Sequence, residues 1–234
     1  IFDDVMTGVF ALEIPVVAAI NGHAIAGGAV LAAAADFRII SDGEAKIGLT
    51  EIQVGVPFPT SALESVRHSC AGPQLREILY RGLTYAPAQA VAARLADEVC
   101  PSGELMPRAL ALATELGSRP AHAFASTKLA LRAEGLARMR AARQSGPDPV
   151  WTLWRTPETL AAMRAMKAEG GWGIVNTEYC TIHPSSDDAP FPIQTLWDDG
   201  DIRQHALMTD AVHKYGSLAG VELFLGGQRM SNLG

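Results

Sequence analysis

The stretch IPVVAAINGHAIAGGAVLAAAAD limits the fold more than any other feature of the chain. From Ile14 to Ala35 it is the longest apolar run, and unbroken it would be long enough to span a bilayer. Pro15, Asn21, His23 and the glycines Gly22, Gly27 and Gly28 break it. It therefore reads as a buried strand (PVVAAI), a turn (NGHAIAGG) and a helix of small residues that begins at about Gly27 and packs closely on a sheet. FRIIS is the next strand. A strand, a turn, a helix and a second strand in so few residues point to an α/β fold.

The flanking segments agree. Residues 1–13 place Ile1, Phe2, Val5, Met6, Val9, Phe10 and Leu12 at helical spacing, and Pro15 stops the helix. EAKIGLTEIQVGVPFP reads as loop and short elements, broken by Gly48, Gly55, Pro57 and Pro59. From Ser61 to Met166 the pattern is mostly helical, closing on TPETLAAMRAM with Thr156 as N-cap before Pro157. Beyond Met166 the alanine-rich texture gives way to glycine, aromatics and acids. A strand over 173–182, a helix over 201–215 ended by Gly216, and a strand over 218–225 form a βαβ rhythm. The expected boundary lies near residues 166–171, giving domains 1–166 and 167–234.

Composition excludes several classes. The chain is 48% hydrophobic and 19% charged, an ordinary globular balance. A net charge of −6 with no basic stripe argues against a nucleic-acid partner. Cys70, Cys100 and Cys180 are isolated, so no disulfide framework or metal site is expected and a cytoplasmic setting is the default. No signal peptide or membrane partner is expected. The start at Ile1 reads as a truncation or processing point.

The turn before the small-residue helix offers chemistry. The first N–H groups of a helix lack internal partners and sit at the positive end of its dipole. Small residues at Ala26, Gly27 and Gly28 let a ligand approach that backbone, which would suit a developing oxyanion. The same glycines also suit tight packing of the helix on a sheet, and spacing alone leaves both readings open. His23 reads as a packing or hydrogen-bonding residue, and Asp36 as structural.

IPVVAAINGHAIAGGAVLAAAADFRIISDGEAKIGLTEIQVGV resembles the signature stretch of the crotonase (enoyl-CoA hydratase/isomerase) superfamily, and the likeness continues loosely to about Met166. The resemblance implies an N-terminally truncated ββα spiral with C-terminal helices, a homo-trimer or hexamer, and an acyl-CoA substrate. No cofactor is implied beyond the coenzyme A of the substrate. It implies that the Gly27 N–H is one of two donors to the thioester carbonyl, with Ala26 and Gly28 bordering the substrate. The other donor and the first strands of the core are expected upstream of Ile1. Hydrating members use two glutamates; here one position is Val30, a substrate-lining residue that carries no proton, and the other is Glu51. One carboxylate is enough to move a proton between two carbons, so isomerisation is expected over hydration. The apolar Val30 should also leave Glu51 drier and raise its pKa.

The segment from Met166 to Gly227 resembles another family. NTEYC, SSDD, LWDDGD and AVHKYGSLAGVEL are similar to flavin-dependent amine dehydrogenases related to trimethylamine dehydrogenase, in the old yellow enzyme type of barrel. This implies a partial (β/α) barrel, an aromatic-cage role for Tyr179 toward a substrate ammonium, and flavin contact by Glu222. FMN is expected only if the segment belongs to a complete barrel. Two other readings stand beside an enoyl-CoA enzyme: a flavoprotein amine oxidoreductase fragment, and a catalytically silent crotonase-like assembly module.

Overall fold

PVVAAI and FRIIS become two neighbouring parallel strands, β1 (Val17–Ile20) and β3 (Phe37–Ser41). The computed structural model describes residues 2–70, 72–183 and 194–224. It falls into two compact units, Ile1–Trp151 and Thr152–Gly234.

The first unit opens with α1 (Phe2–Phe10), which ends before Pro15 as expected. Between β1 and β3 lie a two-residue strand, β2 (Ala24–Ile25), and the helix α2 (Gly27–Ala34). Then come β4 (Ile47–Gly48), a 3-10 turn over Glu51–Val54, α3 (Thr60–Ser69), α4 (Pro73–Arg81) and β5 (Thr84–Tyr85). The unit continues with α5 (Pro87–Ala92), β6 (Glu98–Cys100), α6 (Leu105–Gly117) and the long α7 (Ala121–Gln144). A short helix, α8 (Val150–Leu153), spans the division.

Two small sheets result. One has the order β1-β3-β6, all parallel, and the other β2-β4-β5, with β2 and β4 parallel and β4 and β5 antiparallel. Strands of two or three residues are too short to show a period of two, which is why β2, β5 and β6 were not expected.

Alanine explains where α2 can go. Ala29, Val30, Ala32, Ala33 and Ala34 are all buried, so the helix packs on more than one side against β2, α1 and α3. Its position is pinned by ions. Arg132 of α7 donates to the Phe10, Ala34 and Ala35 carbonyls, lies 4.4 Å over the Phe10 ring and pairs with Asp36 at 2.8 Å. Asp36 also takes Lys128 at 2.7 Å and the Val16 N–H at 2.8 Å. A cation on the last carbonyls of α1 and α2 suits their dipoles. Asp36 is structural, as its sequence context suggested.

The second unit contains α9 (Pro157–Glu169), β7 (Ile174–Thr181), β8 (Gln194–Thr195), α10 (Ile202–His213) and β9 (Leu218–Phe224). Thr156 caps α9, accepting the Thr159 N–H at 3.2 Å. The strands run parallel in the order β8-β7-β9, with α10 between β7 and β9 in sequence. The expected βαβ unit is therefore present, with β8 added on the far side of β7. The division falls at Trp151/Thr152 because α9 packs against α10 and β7, whereas composition placed the change near residues 166–171. Among the described residues no helix is long and apolar enough to cross a membrane, and no group of side chains could hold a metal ion.

Candidate active site

β2 and β4 lie side by side in parallel, Ala24 opposite Ile47 and Ile25 opposite Gly48. The Ala26 N–H extends the ladder, donating to the Gly48 carbonyl at 2.8 Å. Parallel partners leave a sheet at the same end. One chain there enters α2 at Gly27, and the other reaches Glu51 three residues after Gly48. The register thus brings to one end of one small sheet the two residues that the sequence separates.

Ala26 is where the helix begins, with φ 52° and ψ −120°. This is a backbone region normally left to glycine, and holding a non-glycine residue there costs on the order of 1–3 kcal/mol. Two hydrogen bonds hold it: its N–H to Gly48, and its carbonyl to the Val30 N–H at 3.0 Å. The twist at Ala26 reorients the next peptide, so it sets where the Gly27 N–H points. Gly27 is half-buried and Gly28 exposed. A Cβ on Gly27 would meet Phe2 at 3.7 Å and one on Gly28 would meet Ala24 at 4.0 Å, both ordinary contacts. Close packing therefore requires neither glycine, and the backbone access they give is what distinguishes the turn.

Glu51 opens the 3-10 turn and is 5% exposed. Its Oε2 is buried with no hydrogen-bond partner. Loss of hydration raises its carboxyl from 4.5 to about 7, against a smaller lowering by a backbone N–H. The turn is closed by Gln53 N–H to Thr50 at 3.0 Å, Val56 N–H to Glu51 at 3.0 Å, and Gly55 in the left-handed region at φ 76°. A lone, dry carboxyl that titrates near neutrality can take and return a proton.

The other expected site residues fall as follows. Val30 is fully buried, in one apolar cluster with Ile47 and Leu49, so it acts on this region by packing and presents no open wall. Ala26 is half-buried, and His23 is exposed and packs into no core. Tyr179 stands in β7 opposite Glu222 of β9, and its side chain lies outside the described residues. Glu222 is exposed, its N–H donating to Thr177 Oγ1 at 3.3 Å. SSDD and much of the adjoining segment also lie outside the described residues.

Sequence reasoning missed Gly48, Gln53 and Gly82. A Cβ on Gly48 would stand 2.5 Å from the Leu83 carbonyl oxygen, and Gln53 Nε2 donates to the Gly82 carbonyl at 2.7 Å. GLTEIQVG displays the first two residues but does not show that their partners lie beyond α4.

The family profile described as Enoyl-CoA hydratase/isomerase matches residues 2–146. The chain belongs to that family. A second profile, NADH:flavin oxidoreductase / NADH oxidase family, matches residues 153–233. The enoyl-CoA hydratase/isomerase family assignment agrees with a Mycobacterium avium protein named "Probable enoyl-CoA hydratase", 33% identical over 161 residues, which are 69% of this chain and 56% of that protein. The solved structure of a Mycobacterium tuberculosis enoyl-CoA isomerase superposes with a TM-score of 0.58 at 29% identity, covering 62% of this chain and 63% of that one. The final segment is similar to dimethylamine dehydrogenase of Hyphomicrobium, 54% identical over 72 residues, which are 31% of this chain and 10% of that protein. The chain thus spans about half the length of its hydratase relative and a tenth of its dehydrogenase relative.

Proposed function

We propose that the first unit acts on an acyl-CoA thioester through its enolate, with the Gly27 N–H as an oxyanion donor and Glu51 as the proton carrier. The further reading is that it shifts a double bond in preference to hydrating one. The observation that carries this proposal is the buried carboxyl of Glu51, unpartnered at Oε2, beside the start of α2 at one sheet end.

The reaction follows from that arrangement. Glu51 as carboxylate removes a proton from C2 of a 3-enoyl-CoA. The electron pair passes to the thioester oxygen, which the Gly27 N–H stabilises, an effect worth ~3 kcal/mol per donor. The same Glu51 returns the proton to C4, and the double bond moves to C2–C3. Syn hydration would use a second group to handle water, and at position 30 the chain carries an apolar, fully buried valine. A titration near 7 keeps a useful fraction of Glu51 ionised at neutral pH.

Glu51→Gln keeps the shape and removes the proton carrier. Turnover of a 3-enoyl-CoA should drop ~10²-fold or more, and wild-type turnover of that substrate should exceed hydration of crotonyl-CoA in parallel assays. Retention of the wild-type rate in Glu51→Gln, or hydration that matches isomerisation, would sink the respective half of the proposal. A homo-trimeric or hexameric assembly and a cytoplasmic setting belong to the same proposal, resting on the family resemblance and on three scattered cysteines.

FMN does not fit the second unit by itself. Its described strands form a three-stranded parallel sheet, and Glu222 is exposed. A flavin site of the barrel type needs the loops of several more strands.

A further inference from the structure

Two residues after Glu51, Gln53 makes a side-chain contact 29 residues further along the chain. Glu51 sits on a single 3-10 turn, its Oε2 has no partner and its carboxyl bonds the backbone N–H of Glu51 itself, so neither ties the turn to another element. Gln53, in the same turn, does reach out of it: its Nε2 donates to the Gly82 carbonyl at 2.7 Å. Gly82 is the left-handed C-cap of α4, at φ 59°, with its own N–H on the Ile78 carbonyl at 3.1 Å. A Cβ at Gly82 would meet Ile52 Cγ2 at 2.8 Å and Gln53 Cγ at 3.2 Å, so the two turns lie in direct contact.

The following residues touch the other arm of the site. Leu83 and Thr84 press on Gly48, where a Cβ would meet the Leu83 oxygen at 2.5 Å and Thr84 Cα at 2.9 Å. Gly48 in turn holds Ala26 through its carbonyl. One turn, residues 82–84, therefore bears on both the segment that aims the Gly27 N–H and the segment that carries Glu51. Gln53 itself is an exposed residue. Its amide is not explained by core packing, and among the described residues its side chain bonds to Gly82.

We propose that Gln53 is a positioning residue, latching the Glu51 turn to Gly82 and so holding the carboxyl dry and aimed relative to the Gly27 N–H. The proposal rests on the reading of Glu51 as the proton carrier. Without the latch the 3-10 turn keeps only its own short bonds, and water reaches the carboxyl.

The test uses the full chain with Gln53→Met, which keeps length and removes the donor, and Gly82→Ala, which disturbs the latch from its other side. Carbon-13 NMR of labelled glutamate follows the Glu51 carboxyl, identified by its loss in Glu51→Gln. In both variants the Glu51 midpoint should move down by about one pH unit toward ordinary carboxylates. For Gln53→Met, kcat on a 3-enoyl-CoA should fall ~10-fold with KM little changed, and the midpoint of its pH–rate profile should move with the NMR midpoint. An unchanged Glu51 midpoint in Gln53→Met overturns the latch, including the case where only the melting temperature drops. Should Glu51→Gln keep the wild-type rate while Gln53→Met still moves the Glu51 midpoint, the latch stands and the proton-carrier reading fails.

Discussion

Glu51 is a residue whose burial works against the fold. A carboxyl that is 5% exposed and titrates near 7 prefers to be neutral, and the chain must fold around it at pH values where it would ionise in water. Below pH 4.5 the folded and unfolded chains both hold the proton. Between 4.5 and about 7 the unfolded chain releases it while the folded chain keeps it, so stability falls as pH rises through that window and levels off above. The loss at its end is on the order of 3 kcal/mol. Glu51→Gln removes this slope. Denaturant unfolding of both chains at pH 4.5, 6 and 8 should show the variant gaining on the wild type with each step. Parallel curves would mean that the carboxyl is hydrated. The raised titration was legible in the sequence only through the family resemblance and the apolar Val30. Spacing alone leaves Glu51 as an acid in a glycine-bearing loop.

At the scale of elements, the sequence showed what is long and hid what is short. α2 and β3 were plain because small residues run into a strand of aromatic and β-branched ones. β2, β4 and β5 are two residues each, and their pairing holds the site together. Gly48 shows why such pairing is hard to read. Its lack of a side chain is required by the Leu83–Thr84 backbone across the ladder, a neighbour no local pattern reveals. Gly48→Ala must push β5 aside or tilt β4, and overpacking against backbone costs about 1–3 kcal/mol. Either movement also shifts the carbonyl that holds Ala26. The variant should therefore lose activity beyond what its stability predicts, measured well below its melting temperature. Gly28→Ala, with its nearest contact at 4.0 Å, serves as the packing control and should unfold close to the wild type. Equal, small effects on stability at both positions would remove the case for a tight β4–β5 approach.

At the scale of the whole molecule the two units differ in how well they cover their apolar faces. The first unit buries a continuous cluster from Met6 to Ala96, tied by the Arg132–Asp36–Lys128 group. Among its described residues the second has one small apolar cluster, Ala168, Val175, Met208 and Val212, with Ala219 against it. Its strands leave Leu218 64%, Leu223 60% and Ile174 58% exposed. Three parallel strands with helices over part of one layer bury little surface per residue, and parallel sheets are ordinarily covered on both faces. The βαβ rhythm was legible because its strands and helix are long and its turn residues clear. Which helices belong to which unit was not legible, since α9 is as alanine-rich as the helices before it and only its packing on α10 assigns it. Residues 152–234 should therefore open at lower free energy than residues 1–151. Hydrogen exchange read by mass spectrometry tests this in the intact chain. Amides of Met208–Val212 should exchange well before those of Ala32–Ala34, and thermal unfolding should show two steps, the first reporting the second unit. Equal protection of the two helices together with one cooperative transition would show that the exposed strands are supported as firmly as the family core, and would overturn the division of stability argued from their burial.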